Sequence, residues 1–460
     1  MSKIIEKLKD VVGAGRIMTG GSVAERPTSF WNHDPTRAKA IVLPISTDEV
    51  SAILHCCHDH EQSVVVQGGL TNCVAAAEST PDDVVLSLEK MTRIDEIDVI
   101  GCTAVVEAGA ILQIVQETVA EQGLYFPLDL GARGSCTIGG NIATNAGGIN
   151  VLRYGMMRNL VLGLEAVLAD GTVISSMNRM LKNNAGYDLK QLFIGTEGTL
   201  GVVTRAVLRL FPQPASRQDA IVAMRDFDAV SAFLNHVQQQ LAGTLSAFEI
   251  MWGDYFAAVT GKGGHRAPMS RDHPYYVVLQ SEGGDPDAGA ERFEAVLASA
   301  LDERLIVDAV IPKSAAEARA IWEIRENFEA ILEPEPVYLY DVSLPIRDMD
   351  DYVADVKSNV SRRWPNGECY TIGHVADGNL HFFVQPNEMG DFHDASDECV
   401  YAPLTAIGGS VSAEHGIGTE KLNWLSHSRS ATEIELMRTL KKNLDPKNLL
   451  NPGRVFTRTH

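Results

Sequence analysis

A chain of 460 residues exceeds one compact core, so two or three domains are expected, each able to bury a sizeable interior. An apolar fraction of 45% is ordinary for globular proteins and argues against global disorder. The formal net charge of -21 argues against a nucleic-acid partner and against docking on an anionic membrane, because no positive field is there to displace counterions.

The opening run MSKIIEKLKDVVG alternates charged and apolar residues at helical spacing. A short amphipathic helix is expected, and no stretch is apolar for long enough to make a signal peptide. No run approaches roughly 18 uninterrupted apolar residues, so no membrane-spanning helix is expected. Strand-like and helix-like runs then alternate: AIVLPIS, a helix near residues 47–60, SVVVQGG and DVVLSL. Pro44 to Val50 reads as a strand end, an N-cap and an acidic first helical turn. A long glycine-rich region covers residues 131–148. The strand-like LVLGLEAVLADGTVI follows, with Asp170-Gly171 as its hairpin turn.

Phe211-Pro212-Gln213-Pro214 is the clearest linker and sets a boundary there. Beyond it, strands such as YYVVLQS and RLIVDAVI alternate with helices near residues 226–240, 287–302 and 315–332. The tail LMRTLKKNLDPKNLLNPGRVF reads as a helix stopped by Pro446. The chain divides into 1–213, 214–425 and 426–460. Seven cysteines, at positions 56, 57, 73, 102, 136, 369 and 399, form an odd set without framework spacing. Reduced thiols and a cytoplasmic location are expected.

No Walker A sequence occurs, Gly13-Ala14-Gly15 lacks the third glycine of a dinucleotide fingerprint, and neither HExxH nor GxSxG is present. Two other glycine-rich segments stand out. Gln67-Gly68-Gly69-Leu70-Thr71-Asn72 follows the apolar strand SVVV, where glycines let backbone N–H groups approach a phosphate; an ordinary strand-to-loop turn is the plainer alternative. The second, GSCTIGGNIATNAGG over residues 134–148, carries the apolar anchors Ile138, Ile142 and Ala143, which flexible linkers rarely hold. Two such loops suit a ligand with a pyrophosphate.

His374-Val375-Ala376-Asp377-Gly378-Asn379-Leu380-His381 is a hairpin candidate. With Asp377-Gly378 as a two-residue turn, His374 pairs opposite His381 and their Cβ atoms lie roughly 4.5–5.5 Å apart. That spacing suits two imidazoles on one divalent ion, or simply a stacked or surface pair. Ser412-Ala413-Glu414-His415-Gly416 adds a carboxylate and a third imidazole, which alone read as a surface turn.

The runs PLDLGARGSCTIGGNIATNAGG, LRYG, LGLEAVLADGTV and NAGYDLKQLFIGTEGTLGVVT together resemble the FAD domain of the vanillyl-alcohol-oxidase-type, or PCMH-type, flavoproteins. Within these they look most like the D-lactate and D-2-hydroxyglutarate dehydrogenase branch, from Pro44 to NPGRVF. The resemblance implies an α+β fold: a two-subdomain PCMH-type FAD-binding domain over 1–213 and an α+β cap domain with an antiparallel sheet over 214–425. The cap would hold substrate and metal, and a C-terminal helix over 426–460 would return to the FAD domain. By the same resemblance Gly68, Gly69, Thr71 and Asn72 cradle the pyrophosphate of FAD. Gly134, Ser135, Gly139, Asn141, Thr144, Glu197, Gly201, Val202 and Asn451 line the rest of the cofactor. Flavin-linked members attach FAD through a histidine in the first loop. Leu70-Thr71-Asn72-Cys73 has none, so a non-covalent flavin is expected, and Ala75, Ala76 and Ala77 replace the glycines usual there.

The resemblance further implies that His374, His381 and Glu414 bind a divalent metal, zinc being the expected ion, and that His415 is the general base. Two histidines and one glutamate leave an open position, as catalytic sites do. A 2-hydroxy acid can chelate such an ion, which lowers the pKa of its hydroxyl; a histidine takes the proton and FAD the hydride. In SAAEARAIWEIRENFEAIL, read as one helix, Arg325 falls on the apolar stripe of Ala318, Ile321, Trp322, Phe328 and Leu332. An inward guanidinium needs an anion, either a protein acid or, as in the family pattern, the substrate carboxylate. Asn379 is a further substrate-side candidate. Glutarate-specific members carry a lysine before the Asp-x-Ser-Leu-Pro run and an asparagine two residues past the second histidine, where this chain has Leu339 and Phe383.

The expected activity is therefore FAD-dependent oxidation of a D-2-hydroxy acid with a small or apolar side chain, such as D-lactate. Electrons would pass to a quinone, an electron-transfer flavoprotein or another acceptor, and a homodimer is expected. The alternatives are a D-2-hydroxyglutarate dehydrogenase, a metal-free flavin oxidase of another alcohol, and a non-catalytic flavin-binding subunit of a larger oxidase complex.

Overall fold

The computed structural model of the protein describes residues 3–458. Its contacts divide the chain into two units. The first holds residues 1–148, 155–213 and 414–460, and the second holds 149–154 and 214–413.

The first unit contains two main sheets. The smaller has the order Ile17–Met18, Ala40–Val42, Val84–Ser87, Val64–Gln67, the last three strands being parallel. Parallel strands require a covered face, and the helix Thr47–Asp59 supplies one through Val50, Ile53, Leu54 and Cys57, at the i, i+3, i+4, i+7 spacing of a buried stripe. Ser46 caps that helix by accepting from Glu49 N, and Asp48 and Glu49 occupy its positive end. The larger sheet is antiparallel, in the order Ile94–Asp98, Thr103–Glu107, Val202–Arg209, Val161–Val167, Val173–Ser176. The Asp170-Gly171 turn sits where its sequence placed it, with Gly171 at φ 89°. The tail joins this unit: Leu450 bridges Val64, and Asn451 accepts from Val66 N and donates to the Glu197 carbonyl.

The glycine-rich region is less of a loop than its composition suggested. Residues Ile138–Thr144 form a helix, N-capped by Thr137 accepting from Gly140 N and ended by Asn145 in the left-handed region. Gly139 is required there for contact, since a Cβ would stand 2.6 Å from the Ala108 methyl.

The second unit is one antiparallel sheet in the order Asp308–Val310, Ser216–Met224, Tyr275–Gly283, Leu245–Trp252, Glu368–His374, Asn379–Gln385, Tyr338–Ser343. The helices Phe227–Gln240 and Pro286–Asp302 lie where periodicity put them. The expected helix over 315–332 is shorter. It runs Ala315–Glu326 and breaks at Asn327, whose ψ of 66° is not helical, before a 3-10 turn at Phe328–Ile331. Phe328 and Leu332 therefore leave the stripe, while Ile321, Ile324 and Arg325 stay buried on it. Among the described residues no helix is long and apolar enough to cross a membrane, and all seven cysteines are free thiols.

Candidate functional site

The first glycine loop belongs to the first unit. A Cβ on Gly69 would stand 2.2 Å from the Ser135 carbonyl oxygen, and one on Gly68 would stand 2.5 Å from Thr137 Oγ1. Only glycines let this loop press against the start of the Ile138–Thr144 helix. Leu70 takes φ 57°, and the amides of Gly68 through Asn72 donate to no acceptor among the described residues. Backbone N–H groups without acceptors around a left-handed residue are what an anion nest for a pyrophosphate would use. Ala75 is also left-handed, at φ 55°, where the family pattern has glycine.

The other residues expected around FAD have several different surroundings. Gly134 and Ser135 are exposed, and Asn141 is buried near the Cys136 thiol. The Thr144 hydroxyl donates back to the Gly140 carbonyl. Gly201 makes room for the Phe193 ring, and Val202 is a core residue. Glu197, at φ 53°, accepts from the amides of Ile417 and Gly418. Burial pushes its carboxyl above the usual range despite those bonds. The same segment is held twice more: Asn72 Nδ2 donates to the His415 carbonyl, and Glu414 Oε1 accepts from Gly148 N at 2.6 Å. Glu414 and His415 are thus fixed by the two glycine-rich segments of their own unit.

In the second unit the histidine hairpin corrects the expected register. A 3-10 turn, Val375–Asp377, followed by left-handed Gly378, replaces the two-residue turn. His374 pairs with Asn379, and His381 pairs with Ile372. The histidines share a face all the same, as diagonal neighbours, because residues 372 and 374 project alike. Their ring centroids lie 5.3 Å apart, with planes at 83°.

Two buried carboxylates, neither singled out from the sequence, stand behind this pair. Glu249 accepts from His374 Nδ1 at 2.7 Å and lies 2.8 Å from Arg325 Nη2. Burial pushes the Glu249 carboxyl up, but its pairings with His374 and Arg325 outweigh that and hold it below the usual range. Arg325 is therefore paired with a protein acid, although its buried Nε donates to nothing among the described residues. Asp341 accepts from Asn379 Nδ2 and from the amide of Ala413, with His381 Nδ1 4.0 Å away. Its second role matters because Ala413 is followed directly by Glu414. Both acids interrupt otherwise apolar strands, in LSAFEIMW and YLYDVS, and Asp341 opens the Asp-x-Ser-Leu-Pro run, though no role was read for either. Asn379 is buried, and Phe383 packs against Tyr255 and Phe328 in the core of the unit. Leu339, its cross-strand partner, is 40% exposed.

Residues 38–176 match the family model of the FAD binding domain, and residues 213–455 match that of FAD linked oxidases, C-terminal domain. The chain is similar to a D-2-hydroxyglutarate dehydrogenase of Stutzerimonas stutzeri, at 34% identity covering 98% of each chain. It is 38% identical to the mitochondrial D-2-hydroxyglutarate dehydrogenase of Bos taurus, over 96% of this chain and 81% of that one. A mitochondrial protein of Schizosaccharomyces pombe, provisionally named a D-lactate dehydrogenase, is 35% identical over 97% of this chain and 89% of its own. Among solved structures, p-cresol methylhydroxylase with substrate bound matches with a TM-score of 0.80 at 16% identity, over 99% of this chain and 96% of that chain, a likeness of fold alone. The two family models define an FAD-binding flavoprotein. The chain belongs to the FAD-linked oxidase family, in the branch of the D-2-hydroxyacid dehydrogenases, and is an FAD-dependent oxidoreductase acting on CH–OH.

Proposed function

We propose that the protein oxidises a D-2-hydroxy acid to the 2-oxo acid, with FAD held non-covalently and a divalent ion, zinc or similar, held by His374, His381 and Glu414. The observation that carries this reading is the histidine pair on one face of a hairpin, backed by Glu249 and Asp341. An imidazole that donates from Nδ1 keeps its lone pair on Nε2 for a cation. Asp341 also accepts from the amide of Ala413, in its own unit. When bound, the ion supplies Lewis acidity toward the substrate hydroxyl, and FAD supplies the two-electron acceptor. His415 takes the hydroxyl proton, and Arg325, with donors left beyond its bond to Glu249, orients the substrate carboxylate. Gly68 through Asn72 receive the pyrophosphate.

The first loop has no histidine, so acid or heat is expected to release free FAD from the precipitated chain. Flavin left on the precipitate contradicts the non-covalent reading.

We favour a substrate with a small or apolar side chain, because Leu339 and Phe383 offer no cation to a distal carboxylate. The names of the relatives favour a second reading, D-2-hydroxyglutarate. A buried unpaired charge costs several kcal/mol, and about 1.4 kcal/mol is tenfold in specificity. We expect kcat/KM for D-lactate or a longer aliphatic D-2-hydroxy acid to exceed that for D-2-hydroxyglutarate by about tenfold or more. Leu339→Lys should narrow the gap. A tenfold advantage for the diacid in the parent protein decides for the second reading.

A further inference from the structure

We infer that Glu249 is a positioning residue for this site, aiming His374 as a metal ligand and holding Arg325 beside it; the inference rests on the metal reading above. Glu249 sits in the middle of the Leu245–Trp252 strand and is 1% exposed. Its two oxygens are divided between partners from different elements. Oε1 meets Nδ1 of His374, the last residue of the neighbouring strand and its partner in register. Oε2 meets Arg325, in the last turn of the Ala315–Glu326 helix.

This division does two things. The bond at Nδ1 fixes the ring orientation and the tautomer, so that Nε2 carries the lone pair and gains basicity. The guanidinium supplies the counter-charge that a fully buried carboxylate requires, and the carboxylate in turn keeps the long Arg325 side chain in one place. Asp341 behaves differently toward His381. Its Oδ1 stands 4.0 Å from Nδ1 of that ring, while its oxygens accept from Asn379, Ser412 and the Ala413 amide. The ring of His374 is thus aimed by a carboxylate, whereas Asp341 ties the strand to the segment that precedes Glu414.

The test uses the purified FAD-loaded protein, with Zn2+ affinity measured by competition against a chelating dye. E249Q is expected to weaken Zn2+ binding by about 10–100-fold while flavin content stays at one per chain. Because E249Q leaves a buried guanidinium without its counter-charge, the titration is repeated on E249Q/R325M, which removes the cation as well. That double variant should recover thermal stability and keep the Zn2+ defect. Parent-like Zn2+ affinity in E249Q overturns the inference. So does full recovery of affinity in E249Q/R325M, which would reduce Glu249 to a counter-ion for Arg325. A parent protein that binds no more Zn2+ than His374→Ala does would remove the metal reading itself, and this inference with it.

Discussion

Replacing His374 with alanine is expected to strip the protein of its divalent ion and to abolish hydroxy-acid oxidation while FAD remains bound. Catalytic ions of this kind are held by three protein ligands and one open position, and His381 with Glu414 alone is too few. The Lewis acid contributes several kcal/mol toward the developing alkoxide, so its loss corresponds to about 10²–10⁴-fold in the reductive half-reaction. Stability should fall as well. Glu249 loses the partner of one oxygen in a buried place, a defect of about 1–3 kcal/mol, and its pairing with Arg325 then carries the whole charge. The FAD binding domain match covers residues 38–176, which include neither His374 nor its partners Glu249 and Arg325, so the protein should stay yellow. Metal content, flavin absorbance and thermal unfolding of one preparation check all three points. Near-normal metal content with near-normal turnover would place the ligand elsewhere.

His415→Ala is expected to give the opposite pattern: metal and flavin retained, flavin reduction slowed by about 10²–10⁴-fold, the usual contribution of a general base. The neighbouring Glu414→Gln should instead lower metal content, because it exchanges an anionic ligand for a neutral one. The distinction can be measured because several ties on the backbone of this segment involve neither side chain. Asn72 holds the His415 carbonyl, and Glu197 holds the amides of Ile417 and Gly418. Removing the imidazole should leave that framework in place. If His415→Ala reduces its flavin at close to the parent rate, the base is another group.

Much of this was legible in the sequence, for local reasons. The Ser46 cap, the Thr47–Asp59 helix, the Asp170-Gly171 turn and the family motifs are each set by residues within a few positions of one another. The histidine pair was legible by type and face but not by register, because Asp-Gly is a common hairpin centre and the chain used a longer turn here. The inward side of Arg325 followed from helical periodicity, yet the end of that helix at Asn327 did not, since Phe328 and Leu332 continue the apolar spacing past the break. Glu249 was the real omission. Its bond partner His374 lies 125 positions away, and a lone acid in an apolar strand gives no sign of which distant strand will lie beside it. The role of Asp341, which opens the Asp-x-Ser-Leu-Pro run, was missed for the same reason, its bond to Ala413 spanning 72 positions. The resemblance to known dehydrogenases pointed to candidate ligands by their motifs, whereas the carboxylates beside the histidines emerge only when the sheet is assembled.

The most direct test of the account is an anaerobic titration of the purified protein, following flavin bleaching as D- and L-2-hydroxy acids are added before and after metal removal. Bleaching is expected with a D-2-hydroxy acid and not with its L-enantiomer. Treatment with a chelator should abolish that bleaching without releasing FAD, and added Zn2+ or a similar divalent ion should restore it. Full bleaching in demonstrably metal-free protein, or none with any D-2-hydroxy acid in metal-loaded protein, would contradict it.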